Sequence, residues 1–246
     1  DALGVNGKID LIHTPERLLD YKSGSRKRPS RVVTNAAIDP PSDSPNFQAL
    51  LYLTHWRSQY PDRPLEFTFF HFLETLDDVV AGKVDLDDTL TTVSYYPIPF
   101  DAHVRSETFF DELIETGANK CQKTLSQVDY ETYAAAFDDA SVPDTSDSDE
   151  LIESPFGRGF VERMKASVGD YKYVTQGCEQ TMRQMARVRG RAFFEDDLDA
   201  FESFVDERLD ELNRWRAGME RFPVAGLGGE PNYRYVDNRD LLLEGD

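Results

Sequence analysis

Apolar and polar residues alternate along Val5-Asn-Gly-Lys-Ile-Asp-Leu-Ile12 and again along Leu18-Leu-Asp-Tyr-Lys22, which is the period of a half-buried strand. His13-Thr-Pro-Glu-Arg17 supplies a turn between them, so residues 5–22 are predicted to form a β-hairpin. A loop rich in Ser, Arg and Pro follows and closes at Pro40-Pro-Ser-Asp-Ser44. Ser44 as N-cap and Pro45 at the first helical position then predict a helix through Phe47, Leu50, Leu51 and Leu53, stopped at Pro61. Residues 64–76, rich in Phe, and residues 90–97, with Thr-Thr-Val-Ser-Tyr-Tyr, read as a third and a fourth strand.

Beyond Asp101 the pattern turns helical. One helix is expected over 101–116, ending at Gly117, and another over 129–137. The stretch 138–155 is too polar to bury and is expected to be a mobile linker. Helices over 159–168 and 175–188 follow, then a long amphipathic helix over 196–220 with Leu198, Phe201, Phe204, Val205, Leu209, Leu212 and Trp215 on one stripe. The expected fold class is α/β, a small mixed central sheet flanked by helices with a helical insertion in the second half. A single domain is expected to span 1–246: a sheet with its first long helix over 1–100, a mostly helical insertion over 101–194, and a long helix with a C-terminal segment over 195–246.

Charge changes the picture. The chain of 246 residues carries 46 acidic against 27 basic side chains, a formal net of -19. Asp outnumbers Glu and Arg outnumbers Lys, the composition of a surface adapted to molar salt, where the Debye length shrinks to about 3 Å and self-repulsion is screened. Halophilic behaviour is therefore expected, and the placement of the cations matters more than their number. They cluster twice, at Arg26, Lys27, Arg28 and Arg31, and at Arg183, Arg187, Arg189 and Arg191. No apolar run approaches the roughly 20 residues that cross a bilayer, so a cytoplasmic protein without a membrane partner is expected. The two cysteines, Cys121 and Cys178, cannot build a disulfide framework or a four-thiolate site, and each of the four histidines reads as a structural residue.

The hairpin gathers the candidate chemistry. A five-residue loop over 13–17 pairs Ile12 with Leu18 and sets Asp10 opposite Asp20, with β-carbons about 5 Å apart. Period-two alternation puts Lys22 on the same face. On the following helix Gln48 and Tyr52 are four residues apart and share a face. Two carboxylates and an ammonium converging on one face suit a site for a hard cation, which takes carboxylate oxygens and waters.

Gly7-Lys-Ile-Asp10 followed by Asp20-Tyr-Lys22-Ser-Gly24 resembles the central motif of the PD-(D/E)XK nuclease superfamily, and Gln48-Ala-Leu-Leu-Tyr52 resembles the Q-x-x-x-Y motif of its RecB/AddB-like branch. A lone D-x-K is common, whereas this ordered set is specific. The resemblance implies a restriction-endonuclease-like fold and metal-dependent hydrolysis of DNA phosphodiester bonds in repair, recombination or defence. It implies Mg2+ or Mn2+ held by Asp10, Asp20 and the Tyr21 carbonyl, Lys22 polarising the attacking water, Gln48 and Tyr52 positioning substrate or the Lys, and Arg26, Lys27, Arg28 and Arg31 holding phosphates. DNA is the implied partner, with a helicase on the same polypeptide or another chain. Near the end, Glu230-Pro-Asn-Tyr-Arg-Tyr-Val-Asp-Asn-Arg-Asp-Leu-Leu242 resembles the iron-sulfur segment of that branch, with Tyr233, Val236 and Leu242 where cysteines would stand, so no iron-sulfur cluster is expected. The family's upstream acid would precede Asp10 by more residues than are present. A catalytically inactive nuclease-fold module, binding DNA or scaffolding a helicase-nuclease assembly, is the alternative, and an acidic interaction domain without a nucleic-acid role is a third.

Overall fold

The computed structural model describes residues 9–22, 27–71, 76–85, 89–169 and 171–217. Its contacts divide the chain into two units, Asp1–Ser203 and Phe204–Asp246. In the first, strands β1 (Leu11–Thr14) and β2 (Arg17–Lys22) form the hairpin. Helices α1 (Pro29–Asn35) and α2 (Gln48–Arg57) lead to β3 (Leu65–His71), and α3 (Leu76–Val80) precedes β4 (Leu90–Tyr96). Seven further helices are described: α4 (Phe100–Arg105), α5 (Glu107–Thr116), α6 (Asn119–Leu125), α7 (Tyr130–Ala135), α8 (Ser148–Glu153), α9 (Pro155–Val168) and α10 (Val174–Arg189). The short strand β5 (Ala192–Phe194) then joins α11 (Glu195–Arg216), whose second part belongs to the other unit, where Arg208 pairs with Glu211 and lies over the Phe204 ring.

The five strands form one mixed sheet in the order β1-β2-β3-β4-β5. β1 and β2 are antiparallel, β2 and β3 parallel, β3 and β4 antiparallel, β4 and β5 parallel. The protein is thus α/β, a small mixed sheet flanked by helices. A parallel neighbour needs a crossover rather than a tight turn. For β2 and β3, α1 and α2 provide it, and this connection sets a helix carrying Gln48 against the strand carrying Asp20 and Lys22.

Register fixes the two faces. Leu18, Asp20 and Lys22 of β2 align with Phe67, Phe69 and His71 of β3, and Phe67 and Phe69 with Val93 and Thr91 of β4. This face is buried against α2, where Leu50 and Leu53 are inaccessible, and Phe201 of α11 meets Phe47 beside it. The other face carries Arg17 paired with Glu66, Thr68 bonded to Thr92, and Tyr21 edge-on to Phe70. A separate core joins α4–α10 through Phe109, Tyr133, Phe137, Phe160, Met164 and Met182, and reaches the sheet at Ala192 and Phe194.

Several expectations are corrected. The hairpin loop is shorter than five residues, because Thr14 already pairs with Arg17 and a register shift between Ile12 and Thr14 absorbs His13. α2 begins at Gln48, not after Ser44; the Asn46 carboxamide oxygen accepts from the Gln48 N–H and takes over the capping. The single helix expected over 101–116 is two, since Ser106 adopts an extended backbone and its hydroxyl accepts from the Phe109 N–H, restarting the helix as α5. The stretch 138–155, expected to be a mobile linker, is pinned. Arg105 donates to the Asp138 and Ala140 carbonyls, Val142 N–H donates to Asp101, Val142 and Leu151 are buried, and α8 starts at an Asp147 cap. Arg26 and the segment 230–242 lie outside the described residues. Among the described residues no helix is long and apolar enough to cross a membrane.

Candidate active site on the hairpin

Asp20 sits on β2 between β1 and β3 with only 5% of its surface exposed. Burying a carboxylate costs several kcal/mol unless partners replace its water. Two do so. Gln48 Nε2 donates to Asp20 Oδ1 at 2.6 Å, and Lys22 Nζ lies 2.6 Å from Asp20 Oδ2. Lys22 Nζ also donates to Gln48 Oε1 at 2.6 Å, which closes a ring of three side chains. The ring exists because period two puts Asp20 and Lys22 on one face, and because the crossover delivers the first residue of α2 over them. The ion pair to Oδ2 lacks hydrogen-bond geometry, so this buried oxygen keeps an unused lone pair.

The floor is aromatic. Lys22 Nζ stands 5.4 Å from the centre of the Phe69 ring, a cation-π arrangement, and Phe69 meets Phe67 edge-on at 4.9 Å. Tyr52 stacks on Phe67 at 5.6 Å. Its ring therefore joins the site through two phenylalanines, although Gln48 and Tyr52 share a helix face as expected. Phe69 and His71 are site neighbours that the sequence reading missed; the parallel register, which pairs Phe69 with Asp20 and His71 with Lys22, could not be read from the chain.

Asp10 departs from expectation in one respect. The register Ile12 with Leu18 is as expected, yet the ladder ends at Leu11, so Asp10 forms no strand pair with Asp20. Its Oδ2 instead accepts from the Tyr21 N–H at 3.0 Å, the amide that a longer β1 would have bonded through its backbone. Asp10 is exposed while Asp20 is buried. The Tyr21 ring points to the opposite face, 44% exposed against Phe70. Among the described residues no group of three or more His, Cys, Asp or Glu side chains is placed to hold a metal ion.

The basic clusters differ in their pairing. Lys27, Arg28 and Arg31 are exposed and make no ion pair with another described residue, and the Lys27 carbonyl accepts from the Thr91 hydroxyl at 2.5 Å, which anchors the start of α1 to β4. In the second cluster Arg189 is bound on two sides, by Asp144 and by Asp197 at 2.8 Å, and Arg183 lies 3.5 Å from Asp149. Burial opposes the Arg189 charge, but the two carboxylates outweigh it and hold its pKa above the usual range.

Compared with protein-family models, curated proteins and solved structures, the chain matches none.

Proposed function

We propose that this chain is a Mg2+- or Mn2+-dependent deoxyribonuclease of restriction-endonuclease-like fold, with its active site on the hairpin. The observation that carries the reading is the closed ring of Asp20, Lys22 and Gln48. An ion pair whose carboxylate is buried adds little net stability compared with apolar residues of the same volume. Chemistry gives it a reason: an acid that binds a cation, beside an ammonium that orients water. The donor set suits a hard cation. Asp20 Oδ2 meets the Lys22 ammonium and keeps a second lone pair, and the exposed Asp10 carboxylate accepts from the Tyr21 N–H through Oδ2. Asp10, Asp20 and the Tyr21 carbonyl would hold the ion, which supplies Lewis acidity at the scissile phosphate.

The chain's own groups do the rest. Lys22 is a compact ammonium that orients and polarises the attacking water, and Gln48, holding both Asp20 and Lys22, keeps the two aligned. Lys27, Arg28 and Arg31, exposed and without carboxylate partners among the described residues, follow closely on β2 in sequence and receive the phosphate backbone, with Arg26 as the fourth cation of that run. Work on DNA ends or single strands in repair, recombination or defence, alongside a helicase on this or another polypeptide, fits such chemistry, in the cytoplasm of a salt-adapted cell.

One observation favours a second reading, a nuclease fold without catalysis that binds DNA or scaffolds a helicase partner. Among the described residues only two carboxylates, Asp10 and Asp20, belong to the candidate site. Calorimetric Mn2+ titration together with plasmid and single-strand degradation in molar KCl separates the two. An enzyme binds Mn2+ and degrades DNA; Asp20→Ala loses both, whereas Lys22→Ala keeps Mn2+ binding and loses cleavage by orders of magnitude. Absence of Mn2+ binding and of any cleavage by the unaltered chain would leave the binding module in place.

A further inference from the structure

A cleft of about 540 Å3 opens between α1 and the C-terminal end of α10, with the 144–146 loop along its side. Ser30 and Thr34 line one wall, and Arg187, Arg189 and Arg191 the other. Gly190 lets the walls close at this end: a β-carbon there would come within 3.2 Å of the Ser146 Cβ and 3.5 Å of the Ala186 carbonyl oxygen.

The three arginines are not alike. Arg189 is consumed by Asp144 and Asp197 and holds α10, the loop and α11 together. Arg187 and Arg191 are exposed and face the same cleft, and neither guanidinium makes a hydrogen bond or ion pair with another described residue. Burial first, and then the Arg187 charge, depress the Arg191 guanidinium below its ordinary range. Proximity to the end of a helix rationalises one such cation, worth about 0.3–1 kcal/mol against the helix dipole, but Arg191 lies beyond that helix. Two guanidiniums left without a carboxylate among the described residues, in a chain of net charge -19, call for an anion from outside. Asp144, also in the wall, is neutralised by Arg189, which leaves Asp39 as the wall carboxylate without a cationic partner among the described residues.

We propose that this cleft binds a backbone phosphate of a nucleic-acid strand through Arg187 and Arg191, as an extension of the path that begins at Lys27, Arg28 and Arg31. On the facing wall the Thr34 hydroxyl already donates to the Ser30 carbonyl, and the Ser30 hydroxyl is the donor that completes a phosphate's hydrogen bonds. The same helix, α1, carries Arg31 and lines the cleft, so the strand passes from the hairpin over one continuous element. This rests on DNA being the substrate of the hairpin site, but it is read through binding and not through cleavage.

The probe is a fluorescently labelled single-stranded DNA oligonucleotide, titrated by anisotropy over a range of KCl at which circular dichroism shows each protein folded. Arg187→Gln with Arg191→Gln should weaken binding on the order of tenfold at the lowest salt used, and should lower the slope of log K against log salt by about 1.4, that is two contacts at about 0.7 each on a single strand. Asp39→Asn should tighten binding, by removing the carboxylate that opposes the phosphate. Unchanged affinity and slope in the double variant would overturn the proposal, as would no binding by the unaltered protein. Inorganic phosphate at matched ionic strength should not displace the oligonucleotide; displacement that vanishes in the double variant would assign the cleft to free phosphate and overturn the strand path. Asp20→Asn keeps the two readings apart, since it should abolish cleavage and retain oligonucleotide binding. Binding lost in the double variant, with no cleavage by any form, would sink the nuclease reading and leave the cleft standing.

Discussion

Gln48, the first residue of α2, donates its amide to the buried carboxylate of Asp20 across 2.6 Å and at the same time accepts from Lys22. One neutral side chain thus satisfies half of a buried acid and orients the ammonium beside it. Gln48→Leu removes both bonds and leaves Asp20 Oδ1 without a partner, which should cost about 2 kcal/mol of stability. Gln48→Glu keeps an acceptor for Lys22 but sets a second carboxylate against Asp20. It should lower the melting temperature of the metal-free protein and raise the stabilisation gained on adding Mn2+. Thermal melts with and without Mn2+ measure both; equal Mn2+ stabilisation in Gln48→Glu and the unaltered protein would mean that Asp20 is not a ligand.

Legibility in the sequence followed periodicity. The five-residue loop expected over 13–17 gave Ile12 opposite Leu18, a register that the shift between Ile12 and Thr14 restores although the loop is shorter, and period two put Lys22 on the face of Asp20 once that register was set. Alternation did not reveal that the ladder stops at Leu11, since a fraying strand end has the same alternation as a paired one. β5 was missed for a different reason: Ala192-Phe-Phe194 is three buried residues between helices, and only its parallel pairing with Ser94, Tyr95 and Tyr96 makes it a strand. α1 went unread because Val32, Val33 and Thr34 are β-branched and the segment lies in a Ser- and Arg-rich stretch, although Pro29 at its first turn was an available signal. The polar stretch 138–155 shows composition failing outright. Its order comes from arginines elsewhere, Arg105 and Arg189, reaching its carbonyls and Asp144.

Arg189 and Asp197 form an ion pair in which both partners are largely covered, and Asp197 also accepts from the Phe194 N–H at 2.8 Å, capping α11. Removing the cation alone strands two carboxylates. Arg189→Met should therefore destabilise by about 3 kcal/mol, toward the low end for a broken buried pair because Asp144 is mostly exposed. Arg187→Gln, on an exposed side chain without an ion pair, should change stability by less than about 0.5 kcal/mol. Urea denaturation of the two variants checks the contrast, and equal losses would show that the pair contributes no more than a surface arginine.

Salt is the next lever. With 46 acidic and 27 basic residues, unscreened repulsion opposes the compact state, and raising ionic strength relieves it. The chain should lose native circular dichroism in dilute buffer and regain it in molar KCl. Replacing KCl with an isosmotic neutral osmolyte should not restore it, because screening, not exclusion from the surface, is at work. A full native spectrum in dilute buffer would remove the argument for salt adaptation.

His103 gives the protein a pH dependence of its own. Its ring is 6% exposed and packed at 4.2 Å from Tyr96, 5.3 Å from Phe109 and 5.5 Å from Phe194, and its Nε2 has no hydrogen-bond partner. Burial in that aromatic pocket lowers its pKa from 6.5 to about 4. Between those values the unfolded chain takes up a proton that the folded chain refuses, so stability rises with pH across the window. The contribution is fully present above 6.5, declines as pH falls, and is lost by about 4, a total of about 3 kcal/mol. Asp101 and Arg105 share its helix and pair with each other at 2.6 Å, so neither supplies a counter-charge to the imidazole. His103→Phe keeps the aromatic packing without the titration. Melting temperatures in molar KCl from pH 4 to 7.5 should therefore converge on, or fall below, those of the variant as the solution is acidified. Carboxylates titrate in both proteins and cancel in the difference. A difference that stays constant across the window would show that the imidazole is protonated as readily inside the fold as outside it.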